Sequence, residues 1–190
     1  PDIYEDFFHD FGQSPEDHYN LTRLSPAFRT FTQEGSSFDA LEAERMADQL
    51  ESMSHGDGIG FKRLLNRSKV VYSSFKLNLM QESWVNKFSS LQPKIATTLF
   101  RLPKGTVSSR NGDFIRSRDG KAMVDSLSHF LGGTADKVPA IYSFLPYTIF
   151  EQGVWYPDGG FNSVTTAFRS LAQKLGVEIY EGYEVEKVEV

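Results

Sequence analysis

The sequence contains no cysteine and only four methionines and two tryptophans in 190 residues. Without cysteine, disulfides, thiolate metal sites and a cysteine nucleophile are excluded. No run of 18 apolar residues occurs, so no stretch reads as a membrane-spanning helix. The four histidines, His9, His18, His55 and His129, never stand at metal-ligand spacing, and no metal site is expected. Internal repeats, low-complexity tracts and a nucleophile elbow are likewise missing, and the lack of cysteine together with the lack of a secretory leader pattern makes a reducing compartment the default expectation. The chain opens on Pro1 rather than Met and closes at Val190 inside an expected strand, the pattern of a segment of a longer protein.

Phenylalanine is abundant, at sixteen residues, and predicts a core or a pocket built on aromatic rings. Charge is unevenly spread beneath a net −5. Residues 1–60 carry 3 basic and 13 acidic side chains, whereas residues 61–105 carry 9 basic side chains against Glu82 alone. Such a basic block suits a solvated helix face, a membrane-facing surface or a nucleic-acid patch. An acidic chain without a basic fold motif argues against nucleic acid.

The periodicities outline the elements. Residues 3–11 read as an amphipathic helix with Ile3, Phe7, Phe8 and Phe11 on one face, closed by Gly12. Tyr19–Leu24 and Phe28–Thr32 read as short strands. Asp39 with Glu42 resembles a capping box opening a helix through Ala43, Met46, Ala47, Leu50 and Met53. A long helical pattern runs from Phe61 to Leu79, and two more cover Leu91–Leu102 and Ala122–Leu131, with a turn expected at Arg110–Asp113. Ala140–Phe150 reads as a buried helix interrupted at Pro146. The last forty residues read as strand (Gly153–Tyr156), turn (Pro157–Gly160), helix (Phe161–Leu175), then strands over Val177–Tyr180 and Glu184–Val190, an α/β unit.

Two glycine clusters invite a ligand. Gly56-Asp57-Gly58-Ile59-Gly60 has the look of a dinucleotide loop, but that loop needs a strand before it, and here a helix precedes. A helix–helix connection is the expectation. Gly159-Gly160, between an aromatic strand and a helix, suits either a tight turn or close approach of a ligand to the backbone.

Around that second cluster the sequence resembles a known family. Gly153–Phe161 (GVWYPDGGF), with Phe130–Gly133, Pro139–Ser143 and Leu145–Tyr147 upstream and Leu175–Ile179 and Glu184-Val185 downstream, is similar to the central part of bacterial and fungal phytoene desaturases. These are FAD-dependent carotenoid desaturases of the amine oxidase-like flavoprotein superfamily. The resemblance is dense over about 120–190 and loose over about 50–120.

The resemblance implies an α+β fold: a helical substrate-binding and membrane-facing region with a small sheet over 1–152, then a strand–helix–strand return over 153–190 into a Rossmann-like FAD domain. It implies FAD as cofactor, a phytoene-like polyene as substrate, and peripheral attachment to the cytoplasmic side of a membrane through residues 61–105. The dinucleotide fingerprint would lie N-terminal to Pro1 and a further cofactor segment beyond Val190, so this segment alone is not expected to hold FAD. Gly159, Gly160 and Val185 would lie at the cofactor. Tyr142, Tyr147, Trp155 and Tyr156 would contact substrate, and Phe130, Ile141, Phe144, Leu145 and Phe150 could extend an apolar channel. Where some bacterial members carry an Arg-Asp pair this chain has Asn86-Lys87, so no catalytic residue is carried over. Sister chemistries, polyene isomerisation or retinol saturation, and a non-catalytic lipid-binding module are the alternatives.

Overall fold

The computed structural model describes residues 2–31, 35, 37–76 and 102–189. In chain order the regular elements are α1 (Asp2–Asp10), β1 (Leu21–Arg23), β2 (Arg29–Phe31), β3 (Ser37–Asp39), α2 (Ala43–Met53), α3 (Asp57–Phe75), α4 (Val107–Gly112), α5 (Arg118–Asp125), β4 (Trp155–Pro157) and α6 (Phe161–Lys174). Short 3₁₀ and π turns link them at Pro15–Asp17, Ser126–Leu131, Ala140–Phe144 and Tyr147–Gln152. The elements form two compact units: residues 1–23 with 155–190, and residues 24–154. The first 23 residues thus group with the C-terminal segment, whereas the sequence expectation grouped them with the rest of 1–152.

In the first unit β1 pairs antiparallel with β4, Leu21 opposite Pro157, Thr22 opposite Tyr156 and Arg23 opposite Trp155. Phe8, Tyr19, Ala167 and Leu171 are buried together, with Phe7, Leu21 and Val164 against them. The aromatic ring of Phe168 lies 4.8 Å from Phe7 and 5.6 Å from Phe8, so α1 and α6 lock through rings. Of the apolar face expected on α1, Ile3 and Phe11 remain exposed. Among the described residues, the strands expected over Val177–Tyr180 and Glu184–Val190 do not form; residues 177–189 are irregular and exposed. A strand needs a ladder partner, and β4 has paired antiparallel with β1, leaving 177–189 no partner among the described residues.

The second unit is built on α2 and α3. Met46, Ala47 and Leu50 of α2 meet Phe61, Leu64 and Leu65 of α3, and Ile115, Met123, Val124, Leu127 and Phe150 close the core over them. The glycine segment explains how closely these parts approach. A Cβ built on Gly58 would stand 2.7 Å from the Ala47 carbonyl oxygen, and one on Gly60 would stand 2.0 Å from that of Phe114. Both glycines lie inside α3, not in a connecting loop, because only a hydrogen fits against these two backbones. Gly56 alone makes the turn, at φ +91°.

Two carboxylates fasten the same segment. Asp57, 1% exposed, accepts the backbone N–H of Arg116 at Oδ1 and of Ser117 at Oδ2, both at 2.9 Å. Burial opposes its ionisation, yet the hydrogen bonds around Ser117 and Arg116 prevail and hold the carboxyl below the ordinary range. Glu51, on α2, accepts from the N–H of Gly56 (2.9 and 3.0 Å) and of Gly58 (3.0 Å), which also keeps its carboxyl below the usual range.

Several local expectations are corrected. Asp39 does not cap α2; it sits in β3, where the Arg29 guanidinium grips it at 2.5 and 2.9 Å, and the helix starts at Ala43 without a side-chain cap. Arg110–Gly112 is helical rather than a turn. The Thr106–Ser109 capping box starts α4, and buried Asn111 donates to Asp125 Oδ1 at 2.8 Å, which carries the helix through a turn-prone sequence. The helix expected at Ala140–Phe150 is a 3₁₀ turn and a π turn on either side of Leu145-Pro146. The helix expected over Leu91–Leu102, and the Asn86-Lys87 pair, lie outside the described residues except for Leu102.

Gly60→Ala is expected to destabilise the protein by about 1–3 kcal/mol, because two backbones must part. Gly112→Ala, where an added Cβ meets only the flexible end of Lys121 at 3.3 Å, should change stability by less than about 1 kcal/mol. Urea denaturation of the two variants measures the contrast. A second expectation concerns pH. Asp57 binds a proton more readily unfolded than folded, so its stabilisation is complete above the ordinary carboxylate pKa of about 4 and is lost as pH falls through the lower folded value. Asp57→Asn should lower stability at pH 7 by about 1–3 kcal/mol and flatten the acid limb of a stability–pH curve.

Candidate functional site

In the first unit, β4 delivers Trp155 and Tyr156 directly into the Pro157–Gly160 turn. The turn closes with the Gly160 N–H donating to the Pro157 carbonyl at 2.9 Å, and is tied to β1 by Asp158, which accepts from Thr22 Oγ1 at 2.8 Å. Gly159 and Gly160 stand at φ +80° and +85°, the left-handed side that side chains avoid. A Cβ on Gly159 would meet nothing within 4 Å, and one on Gly160 only the Tyr156 hydroxyl at 3.5 Å. The backbone is therefore open on its outer side at the start of α6. Two exposed rings flank it, Tyr156 and Phe161, edge to face with centroids 5.6 Å apart.

Trp155 borders a cavity of about 280 Å³ with Tyr4, Tyr19 and Leu21 on its apolar side and Glu5 and Glu16 at its polar side. The Tyr19 hydroxyl is buried with no hydrogen-bond partner among the described residues, and burial raises its pKa. Val185, by contrast, lies in the irregular stretch with its side chain 77% exposed. The structure thus brings Gly159, Gly160, Trp155 and Tyr156 together on one strand–turn–helix, and leaves Val185 in no regular element.

In the second unit, Tyr142 and Tyr147 belong to an aromatic wall. Phe144 stacks on Phe75 at 5.2 Å and lies 6.1 Å from Tyr72, which lies 5.4 Å from Tyr147; Tyr142 stands 6.0 Å from Phe144. The Lys69 ammonium is 5.8 Å from the centre of the Tyr147 ring. These rings are half-buried, joining the second half of α3 to the turns around Pro146. Two of the channel candidates are otherwise employed. Phe150 is 1% exposed and packs edge to face on Phe61 in the core, and Leu145 packs against the same core. Phe130 is exposed and meets Phe28.

The glycine segment at 56–60 is no phosphate cradle, as its helical setting foretold. The amides that would face an anion, those of Gly56 and Gly58, already bind the Glu51 carboxylate. His55 Nδ1 lies 2.8 Å from the same carboxylate. Sequence reasoning missed Glu51 and Asp57 as the partners of this segment. The signal was present in an acid at the first helical position after Gly56, where a helix favours negative charge.

No family model matches the chain. Curated relatives match it nearly end to end. A carotenoid 3,4-desaturase of Haloarcula japonica is 30% identical over 99% of this chain and 39% of its own length. A zeta-carotene-forming phytoene desaturase of Myxococcus xanthus is 24% identical over 99% of this chain and 37% of its own length. A 4,4'-diapolycopene oxygenase of Methylomonas is 26% identical over 100% of this chain and 39% of its own length. The chain spans well under half the length of these relatives. Its homologues over the whole chain are thus carotenoid and phytoene desaturases and diapolycopene oxygenases, and the chain matches a fragment of a phytoene desaturase-type carotenoid desaturase.

Proposed function

We propose that the chain is the central part of an FAD-dependent carotenoid desaturase, an oxidoreductase that removes hydrogen across a carbon–carbon bond of a long polyene such as phytoene. The observation that carries this reading is the end-to-end similarity to carotenoid desaturases. The open Gly159-Gly160 turn supports it, since a backbone with no Cβ above it is what a flat cofactor or a polyene end can approach.

The residues fit FAD in part. Gly159 and Gly160 would lie along the cofactor, whereas the amides of Gly56 and Gly58 are closed to its diphosphate by Glu51. FAD, when bound, supplies the hydride acceptor for the dehydrogenation. This chain's own residues would orient an apolar substrate and keep water from it. Trp155 and Tyr156 would do so in the first unit, Tyr142 and Tyr147 in the second, as rigid rings that cost little conformational entropy to order. Val185 would offer its backbone to the cofactor as part of a Rossmann-like return over 153–190.

Peripheral attachment to the cytoplasmic face of a membrane is part of the same proposal. No helix among the described residues is long and apolar enough to cross a bilayer. Within the basic stretch 61–105, α3 carries Arg63, Arg67 and Lys69 on exposed positions, suited to anionic head groups, whereas Lys62 is paired with Glu44.

Gly160→Val in the full-length protein tests the cofactor side. A branched side chain at φ +85°, ψ 177° is strained by about 1–3 kcal/mol and covers the open backbone. Flavin absorbance per mole of purified protein should fall at least severalfold while far-ultraviolet circular dichroism is unchanged. Undiminished flavin in a folded variant would detach Gly160 from the cofactor, and a wild-type protein with no flavin would remove the flavoenzyme reading altogether.

A further inference from the structure

Arg63 and Arg67 stand four residues apart on α3, on one face of the helix. Each borders a different cleft of the second unit. Arg67 lines a cleft of about 310 Å³ with Leu64, Pro103, Lys104, Arg110 and Phe114. Arg63 lines one of about 270 Å³ with Gly56, Gly60, Phe114 and Arg116. Asp113 and Phe114 border both, so the two clefts share a wall. That wall is fixed by the contact that keeps Gly60 bare, where the Phe114 carbonyl presses on α3.

The charge around this wall is one-sided. Among the described residues, five cationic side chains line the clefts against one carboxylate, Asp113. Asp113 is already engaged, because Arg110 Nη1 donates to it at 3.3 Å. Arg110 is itself held by two bonds to the Lys104 carbonyl, at 2.9 and 2.6 Å. Arg63, Arg67 and Arg116 form no ion pair among the described residues. Lys62, one position away on α3, differs in being paired with Glu44 at 2.5 Å. Like charges gathered in a concave place with apolar walls focus their potential, and guanidinium forks match phosphate oxygens two at a time.

We propose that these paired clefts are a phosphate-binding site, with Arg63, Arg67 and Arg116 as the ligating side chains and Phe114 as the rigid divider. The phosphate group belongs either to a phospholipid head group or to a soluble phosphate or diphosphate ester. The proposal narrows the membrane-facing reading to three named residues but does not require it, because a soluble ester would use the same groups. Nothing in it depends on flavin or on the polyene reaction.

The test uses the full-length protein and two probes: inorganic pyrophosphate followed by calorimetry, and sedimentation with phosphatidylcholine vesicles with or without phosphatidic acid. Arg63→Gln/Arg67→Gln should weaken binding of the operative probe roughly 20-fold, about fivefold for each arginine. Lys62→Gln, which removes one charge from the same helix as either arginine substitution does alone, should weaken it less than twofold, against about fivefold for Arg63→Gln or Arg67→Gln singly. Both side chains are exposed, and unchanged circular dichroism and melting temperature establish that the variants fold. Loss of binding to phosphatidic acid vesicles, with pyrophosphate competing, identifies a head group. Loss of pyrophosphate binding with vesicle attachment intact identifies a soluble ester. The proposal is overturned if neither probe binds the wild type, if the double variant binds both probes as well as wild type, or if Lys62→Gln weakens binding as much.

Discussion

The second unit depends on one close crossing, where the start of α3 runs beneath the segment Phe114–Ser117. Gly60 lets the Phe114 backbone approach α3 there, as Gly58 lets that of Ala47 in α2 on another side, to distances that any side chain would forbid. That approach strands polar groups away from water, and two acids answer the need. Asp57 takes the amides of Arg116 and Ser117, and Glu51 takes those of Gly56 and Gly58. A buried carboxylate is costly unless it is hydrogen-bonded, and this one is bonded through both oxygens. Once α3 is seated, Leu64 and Phe61 close the core beneath it, and the exposed side of the helix is left to present arginines.

Much of the helical part of this arrangement was legible in the sequence. The spacing of Met46, Ala47 and Leu50 and of Phe61, Leu64 and Leu65 marked two core-facing stripes, and all six residues are buried in the core of the second unit. Phe8 and Leu171 were likewise on the faces their periodicity assigned. The failures have physical reasons. Asp39 had the spacing of a cap, but a guanidinium across the hairpin offered it a bidentate partner. Arg110–Asp113 had the composition of a turn, but Thr106 and Asn111 supplied specific hydrogen bonds that favour helix. The alternation in 177–190 reads as strand, yet alternation supplies no ladder partner.

The site was legible in part, and unevenly. The Gly159-Gly160 turn stands where the strand–turn–helix grammar placed it, with its backbone open and two rings beside it. Half-buried rings at Tyr142 and Tyr147 form an aromatic wall, but composition could not separate wall from core, and Phe150 belongs to the core. Charge counting found a basic stretch without its geometry. The clefts become visible only when Phe114 and Arg116, distant in sequence, are seen against Arg63 and Arg67. The Gly56–Gly60 segment is the opposite case: it reads as a ligand loop and is filled by the protein's own carboxylate.

Relatives that desaturate carotenoids and one named as an oxygenase match the chain to similar extents, so the product itself is the most direct test. The full-length protein would be incubated with phytoene in liposomes and the extracted product analysed by mass and visible absorption. The account predicts products lighter than phytoene by multiples of two hydrogens, absorbing at longer wavelength and containing no added oxygen. Products of unchanged mass, or products that have gained oxygen without loss of hydrogen pairs, would contradict it.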